Sequence, residues 1–387
     1  MVVLRESALV PIPSAVTVGR IPRADMETAV ADAMADPDPA NLFMRLFYLF
    51  QSIGLFELAS DIHAKALERR RVFKIEGPLY PCIRLLALMG PDPESDNSPI
   101  EYVVDGSGIE LLLYYFDVAD TNPAPPPDHD IALVALGESE RGKEYLRLLE
   151  EPLRHWPRPV LNRPERIALC ARDQLADLLA NEPGLVVPLN CRIGRDAKVA
   201  LRYPCVIRPL DTHGGKGFEK IADEAGLQAY FAKHQQAEFY CADYYEYRSG
   251  DGQFRKYRIA LIDHEPHLCH LAIGDDWMVH YLTAGMDVSG AKRTEEANAF
   301  SHFHTDFGLR HRKALSLIAE RLDLDFVVLD CAELPDGRLL LFEADNRGWI
   351  HAVDHPDLFP YKAPHMKRVF EAFEAMLDKH ILAKGNL

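Results

Sequence analysis

The segment LDLDFVVLDCAELPDGRLLLFEADNRGW, residues 322–349, constrains the chain more than any other. Two strand-like runs meet at Asp336-Gly337, a pair that favours a two-residue hairpin turn because glycine accepts positive φ. With those residues as the loop, Pro335 faces Arg338, and counting outward sets Asp330 opposite Glu343. Cross-strand partners have Cβ atoms about 5 Å apart and share a face. Asp345, two residues beyond Glu343, shares it by the strand's period of two.

Three ionised carboxylates on one patch repel one another, and raising their pKa values costs stability. A cation resolves the conflict. Clustered oxygen ligands suit magnesium, with manganese as an alternative; magnesium keeps several waters and completes its shell with phosphates. The plainer alternative is a solvent-facing acidic strand. Against it, the other positions on both strands are nearly all apolar, so both faces are expected to be partly buried.

Composition limits the rest. At 387 residues, 48% hydrophobic and 26% charged, the chain is ordinary globular material with room for two or three domains. A formal charge of −16 disfavours nucleic acid, while leaving room for a local basic pocket holding one nucleotide. The opening MVVLRESALVPIPSAVTV has no basic segment followed by an apolar core, and no run approaches the roughly 20 apolar residues of a membrane span. A cytoplasmic protein with no membrane partner is expected. The seven cysteines are scattered, odd in number and never in a C-x-x-C pair, so they are expected to be small core residues, without a disulfide framework or zinc ribbon.

From Asn41 to Lys74 apolar residues recur at helical spacing on both sides of Gly54, which predicts a helical hairpin. It looks like one tetratricopeptide unit, but arrays need about three to stack. A single helix pair packed on its own domain is expected. Short apolar runs follow at Ile83 to Met89, Ile100 to Val104 and Ile109 to Phe116. Beyond the proline-rich NPAPPPDHD, a segment changes from strand to helix period near Gly137, as a βα unit does. Thereafter the spacing predicts a helix over Ile167 to Ala180, a strand, glycine loop and strand in YPCVIRPLDTHGGKGFEKI, and a helix from Glu224 to Lys233. Further strands, a helix from Arg310 to Leu322 and the acidic hairpin complete the chain. The order suits an α+β fold in three parts: residues 1–75 helical, 76–156 a small α/β domain, and 157–387 the main domain, with a flap over about 188–240.

In the glycine loop, Gly214, Gly215 and Gly217 would let backbone N–H groups approach phosphate oxygens, and Lys216 adds charge. No helix with G-K-[ST] follows, so this is no Walker loop, and a plain hairpin turn is the alternative. Strand, glycine turn and strand would form a flap able to close over a triphosphate. In FRKYRIALID, Lys256 and Arg258 point to one side and Arg255 to the other. Arg258 is placed to neutralise a transferring phosphoryl group, unless the pair are simple surface cations. His267, His270 and His280 are spaced irregularly for structural zinc and are expected to be satisfied strand histidines.

In order along the chain, these motifs resemble the ATP-grasp superfamily, which includes glutathione synthetase and the ribosomal-protein glutamate ligases. ARDQL resembles its A-R-D-K-L, and VIRPLDTHGGKGF resembles its lysine-bearing strand and glycine-rich loop. FYCADYY resembles the hinge strand against which adenine lies, KYR the segment whose arginine contacts the reacting phosphoryl group, and LD followed by FEAD the D and E-x-N magnesium ligands. The resemblance spans Pro157 to about Leu377. It implies an ATP-grasp fold, Asp330, Glu343 and Asp345 as magnesium ligands, and Arg258 as the acyl-phosphate contact, with Lys256 beside it. Arg208 and Gln174 fall where lysines usually touch ATP phosphates, and His213, the glycine loop, Asp243, Tyr244 and Tyr245 fall along the nucleotide. Arg208, Gln174 and Asp345 depart from the usual residues. Arginine can still bind phosphate bidentately; glutamine carries no charge, and Lys216 or Lys256 would have to supply what it lacks. The whole chain is also similar to a bacterial group with a tetratricopeptide-like start, whose R-P-x-x-S-H-G-G, F-R-K-Y-R, W-x-V-H-Y and F-E-A-N strings resemble RPLDTHGG, FRKYR, WMVHY and FEAD.

The resemblance implies an ADP-forming ligase using ATP and magnesium. It would phosphorylate a small-molecule or peptide carboxylate, and an amine or thiol would attack the acyl phosphate. Such catalysis is positioning and charge stabilisation, in keeping with the absence of an obvious nucleophile. His213, Lys256, His280, Asn346 and His351 are candidates for the acceptor pocket, and a homodimer is left open. Two alternatives are a kinase on the same site and a non-catalytic nucleotide-binding adaptor that binds partners through its N-terminal helices.

Overall fold

Asp38 starts the first long helix, Pro39–Ser52: its carboxylate accepts from the Ala40 N–H at 2.9 Å, and Pro39 occupies the first turn, where a missing N–H costs nothing. Gly54, at φ +83°, turns the chain into the second helix, Phe56–Arg69. The expected helical hairpin is therefore present, preceded by short helices Ala15–Gly19 and Met26–Met34. The computed structural model describes residues 9–91, 97–116, 125–195, 201–210, 212 and 215–385.

The hairpin packs on a five-stranded sheet: β1 (Val72–Lys74), β2 (Ile83–Met89), β3 (Ile109–Tyr115), β4 (Ile131–Val134) and β5 (Val160–Leu161), in the order β1-β3-β2-β4-β5. All pairs but β1–β3 are parallel, and the strands are apolar on both faces, as a covered parallel sheet requires. The run Ile100 to Val104 is not extended: Glu101–Val104 forms a helical turn over the sheet. Helix Gly142–Arg154 follows the strand-to-helix switch at Gly137 as expected. The helix expected over Ile167 to Ala180 is broken. Pro164–Ile167 and Arg172–Leu178 are separated by a 3-10 turn and by Ala171 in extended backbone (ψ 129°).

Two more sheets follow: β6 (Leu185–Val186), then the flap strands β7 (Asn190–Gly194), β8 (Cys205–Pro209), β9 (Glu219–Ile221) and β10 (Glu238–Asp243), ordered β7-β10-β8-β9. Helix Glu224–Lys233, capped by Asp223, lies between β9 and β10. The central sheet is formed by β11 (Phe254–Ile262), β12 (Glu265–Gly274), β13 (Phe326–Glu333) and β14 (Leu339–Asp345), with β6 added at its edge, in the order β12-β11-β13-β14-β6. Helices Gly290–His302, Arg312–Leu322 and Lys362–Gly385 cover it; the helix expected from Arg310 is interrupted at His311. The architecture is α+β. Five of the seven cysteines are buried and all seven are free. Among the described residues, no helix is long and apolar enough to cross a membrane.

One apolar cluster runs from Met44 and Phe47 of the hairpin, through Leu86 and Leu133, to Leu329 and Phe373. Asn162 fastens the two large sheets together. Fully buried at φ +53°, it donates to the Phe326 carbonyl at 2.7 Å and accepts from the Phe326 N–H at 2.9 Å. Asn162→Ala should strand both backbone groups and lower unfolding stability by roughly 2–4 kcal/mol in chemical denaturation, with little change in folded-state circular dichroism.

Candidate functional site

The acidic hairpin closes differently from the expected register, yet Asp330 still stands opposite Glu343. Pro335, Asp336 and Gly337 form a three-residue loop with Gly337 at φ +84°, so Glu333, not Pro335, begins the ladder, opposite Leu339. A bulge between Asp330 and Cys331 then takes up one residue and sets Asp330 opposite Glu343 after all. Asp345 follows on the same face, opposite Val328.

The neighbouring strand extends this pair into a row. Arg258 of β11 is the register partner of Asp330, and His270 of β12 is the partner of Arg258. Arg258 grips Asp330 with two hydrogen bonds, Nε to Oδ1 at 2.8 Å and Nη2 to Oδ2 at 2.9 Å, and Lys256 Nζ reaches Oδ2 at 3.0 Å. Arg255 points to the opposite side, to Asp251 and Glu295, as the alternation requires. Burial alone would raise the Asp330 carboxyl, but Arg258 and Lys256 outweigh it and hold the group far below the carboxylate range. His270 is driven well down by burial and by Arg258, so it stays neutral. At the other end Arg172 donates to Glu343, and Arg347 holds Asp345 from Nε at 3.0 Å. Gly137 makes room for that arginine: a Cβ there would stand 2.0 Å from Arg347 Cδ.

This face floors a cleft of about 1470 Å³. Arg172, Arg208, Lys256, Arg258 and Arg347 all line it, against Asp330, Glu343 and Asp345. Arg208, on flap strand β8, stands out. Its Nε donates to Thr212 at 3.1 Å, but Nη2 is buried without a hydrogen-bond partner among the described residues. Burial and the like charge of Arg172 lower its guanidinium to about 10. Beside it stand aromatic walls from the flap and from the segments after β10 and β12. Arg208 lies over Phe218 at 5.5 Å, Phe218 meets Trp277 at 5.2 Å, and Trp277 meets Tyr244 at 5.9 Å.

Of the residues singled out in the sequence, Arg208, Gly215, Asp243, Tyr244, Tyr245, Lys256, Arg258, His280, Asp330, Glu343 and Asp345 line the cleft. Gln174 and Lys216 are exposed and do not, nor does Gly217, and His213 and Gly214 lie outside the described residues. Gln174 was expected where a lysine usually touches ATP phosphates; on the same helix it is Arg172, two residues earlier, that lines the cleft and donates to Glu343. Asn346 is buried, donating to the Leu136 carbonyl at 3.0 Å, and His351 packs on Trp349. Among the described residues no three of His, Cys, Asp and Glu already converge on a metal position.

No family model and no curated protein matches the chain. Solved structures do resemble it in part. A RimK domain protein of ATP-grasp type from Sphaerobacter thermophilus is 20% identical, with a TM-score of 0.46 over 77% of this chain and 99% of that one. D-alanine–D-alanine ligase from Bacillus anthracis is 13% identical, with a TM-score of 0.45 over 78% and 100%. VanG D-Ala:D-Ser ligase from Enterococcus faecalis is 14% identical, with a TM-score of 0.45 over 78% and 98%.

The cleft continues to the N-terminal helices, where Glu101, Tyr48, Tyr102 and Tyr115 line it. None of these was singled out from the sequence. Burial raises the Glu101 carboxyl from about 4.5 to about 7, against opposing hydrogen bonds from the Ala15 N–H and the Tyr48 hydroxyl. Below the lower value the group is protonated in folded and unfolded chains alike. Between the two only the folded chain keeps the proton, so this contribution to stability is full at low pH and is lost as pH rises through about 7. Against Glu101→Gln, the wild type should lose roughly 3 kcal/mol of unfolding stability between pH about 4.5 and about 8, measured by urea titration.

Proposed function

We propose that this chain is an ATP- and magnesium-dependent ligase that activates a carboxylate as an acyl phosphate for attack by an amine or thiol. The observation that carries the assignment is the buried Nη2 of Arg208, without a hydrogen-bond partner among the described residues and held beside Arg172 in a cleft that Lys256, Arg258 and Arg347 also line. Glu343 answers Arg172, but the buried guanidinium of Arg208 has no acid partner among the described residues, and a polyphosphate would supply one. The ordered motif resemblance supports the same assignment, and the aromatic wall of Phe218, Trp277 and Tyr244 suits a planar base.

The carboxylates fit magnesium in donor type, being oxygen ligands on adjacent positions of paired strands. Asp330 is engaged through both oxygens by Arg258 and Lys256, whereas Glu343 is held by Arg172 and Asp345 by Arg347, guanidinium groups that triphosphate oxygens would draw away. Glu343 and Asp345 would hold the ion, with Asp330 behind them. When bound, magnesium would supply positive charge that offsets the phosphate oxygens.

In the first step a substrate carboxylate oxygen attacks the γ-phosphorus, and the β–γ bridging oxygen leaves with the electron pair as ADP. Arg172 and Arg208 would bind the phosphate oxygens, and Arg258, fixed by its two bonds to Asp330, would face the transferring group. In the second step the acceptor attacks the acyl carbon and phosphate leaves. With no general base required in the first step, the neutral His270 serves packing against Tyr281, at 4.6 Å between rings.

Calorimetry with ATP, with and without magnesium, tests the assignment on wild type, Arg208→Gln and Glu343→Ala. Arg208→Gln should weaken ATP binding about ten-fold or more while raising the Tm of the ligand-free protein, because it removes an unpaired buried charge. Glu343→Ala should abolish the magnesium dependence. Failure of the folded wild type to bind ATP would sink the ligase and the kinase alike and leave only partner binding through the N-terminal helices; a stable phosphorylated product would establish the kinase.

A further inference from the structure

The N-terminal end of the cleft differs in chemistry from the basic end. Its walls are aromatic, from Phe47, Tyr48, Tyr102 and Tyr115, and they surround one carboxyl, Glu101, only 8% exposed. Both hydrogen bonds to that carboxyl fall on Oε1, from the Tyr48 hydroxyl at 3.1 Å and the Ala15 N–H at 3.3 Å. No cation among the described residues pairs with it. Arg20, which lines the same end, is committed to Asp105 at 2.8 Å.

A purely structural Glu101 would need only to accept from Tyr48 and Ala15, which a glutamine carbonyl does equally well. A negative charge at a buried, cavity-lining position is useful only when a cation joins it, and aromatic faces around such a position strengthen the hold on an ammonium group. The place also adjoins the reacting end. The Tyr102 ring meets Trp349 edge-on at 5.2 Å, and the Trp349 carbonyl accepts from Arg258 Nη1 at 3.0 Å.

We propose that Glu101, Tyr48, Tyr102 and Tyr115 form a binding site for an organic ammonium group, so that the acceptor substrate is an amine and not a thiol. The identification of the ligand as acceptor rests on the ligase assignment above; the ammonium site itself does not. In the coupling step the ammonium loses one proton to water, its nitrogen lone pair forms the bond to the acyl carbon, and the carbon–oxygen bond to the phosphoryl group breaks. Inorganic phosphate leaves with that electron pair and the nitrogen sheds a second proton to water, giving an amide. Glu101 holds the amine before this step.

The test is calorimetry with n-butylammonium chloride on the full chain, wild type and Glu101→Gln, each also titrated with ATP. The wild type should bind saturably, and Glu101→Gln about ten-fold or more weakly, with unchanged ATP affinity. Equal binding by the two proteins, or none by a folded wild type, overturns the site. Loss of ATP binding with ammonium binding intact overturns the ligase assignment alone. Should Glu101→Gln not fold, the wild type decides by pH. Butylammonium stays charged throughout, Tyr48, Tyr102 and Tyr115 stay neutral, and burial lowers His63, packed on Phe47 and Tyr115, and His351, packed on Tyr102, so affinity should rise as pH passes through about 7 and the Glu101 carboxyl ionises. A flat profile overturns the site.

Discussion

The two-pronged pairing of Arg258 with Asp330 is the interaction on which both the central sheet and the cleft depend. It joins β11 to β13 at a position where both side chains are largely buried, and a carboxylate left there alone would cost several kcal/mol. Asp330 is held ionised, Arg258 is held rigid, and His270, on the far side of the arginine, is held neutral. The row across β12, β11, β13 and β14 is thus electrostatically ordered before any ligand arrives, and this preorganisation suits chemistry in which charge moves and little else does.

Around that row the cleft has two characters. Toward the flap it is rich in guanidinium groups, with Arg208 kept partly unsatisfied by burial. Toward the N-terminal helices it is aromatic with a single acid. The separation follows from the layer arrangement: the flap sheet and the helix carrying Arg172 approach one end of the central sheet's open face, and the helical hairpin with Glu101–Val104 approaches the other. Opposite charges kept at opposite ends can bind ligands of opposite charge in one cavity without cancelling each other.

The sequence made the acidic hairpin legible, along with the side of β11 that carries Lys256 and Arg258, because both rest on strand alternation, which tertiary contacts rarely overturn. The register itself was reached by two compensating differences: a three-residue loop in place of two, and a bulge that restored the count. Arg172 escaped notice because the helix bearing it starts late, after a 3-10 turn and extended Ala171 that periodicity does not register, so the helix presents a different residue to the cleft from the one expected.

Glu101 and its tyrosines were illegible for a deeper reason. Glu101 sits at the edge of an apolar run, Tyr48 is on a helix about fifty residues earlier and Tyr115 is on a strand beyond it, and no local pattern links them. The amino-acid sequence by itself determined the helical hairpin, the α+β order, the glycine-turn flap and the three carboxylates on one face, since each follows from periodicity, turn chemistry or short-range register. Only the tertiary structure decided which cations meet those carboxylates, that Arg208 keeps a buried nitrogen unpaired, and that a lone acid closes the far end of the cleft. Those are properties of packing between distant segments, where burial and neighbouring charge, not residue type, set the electrostatics.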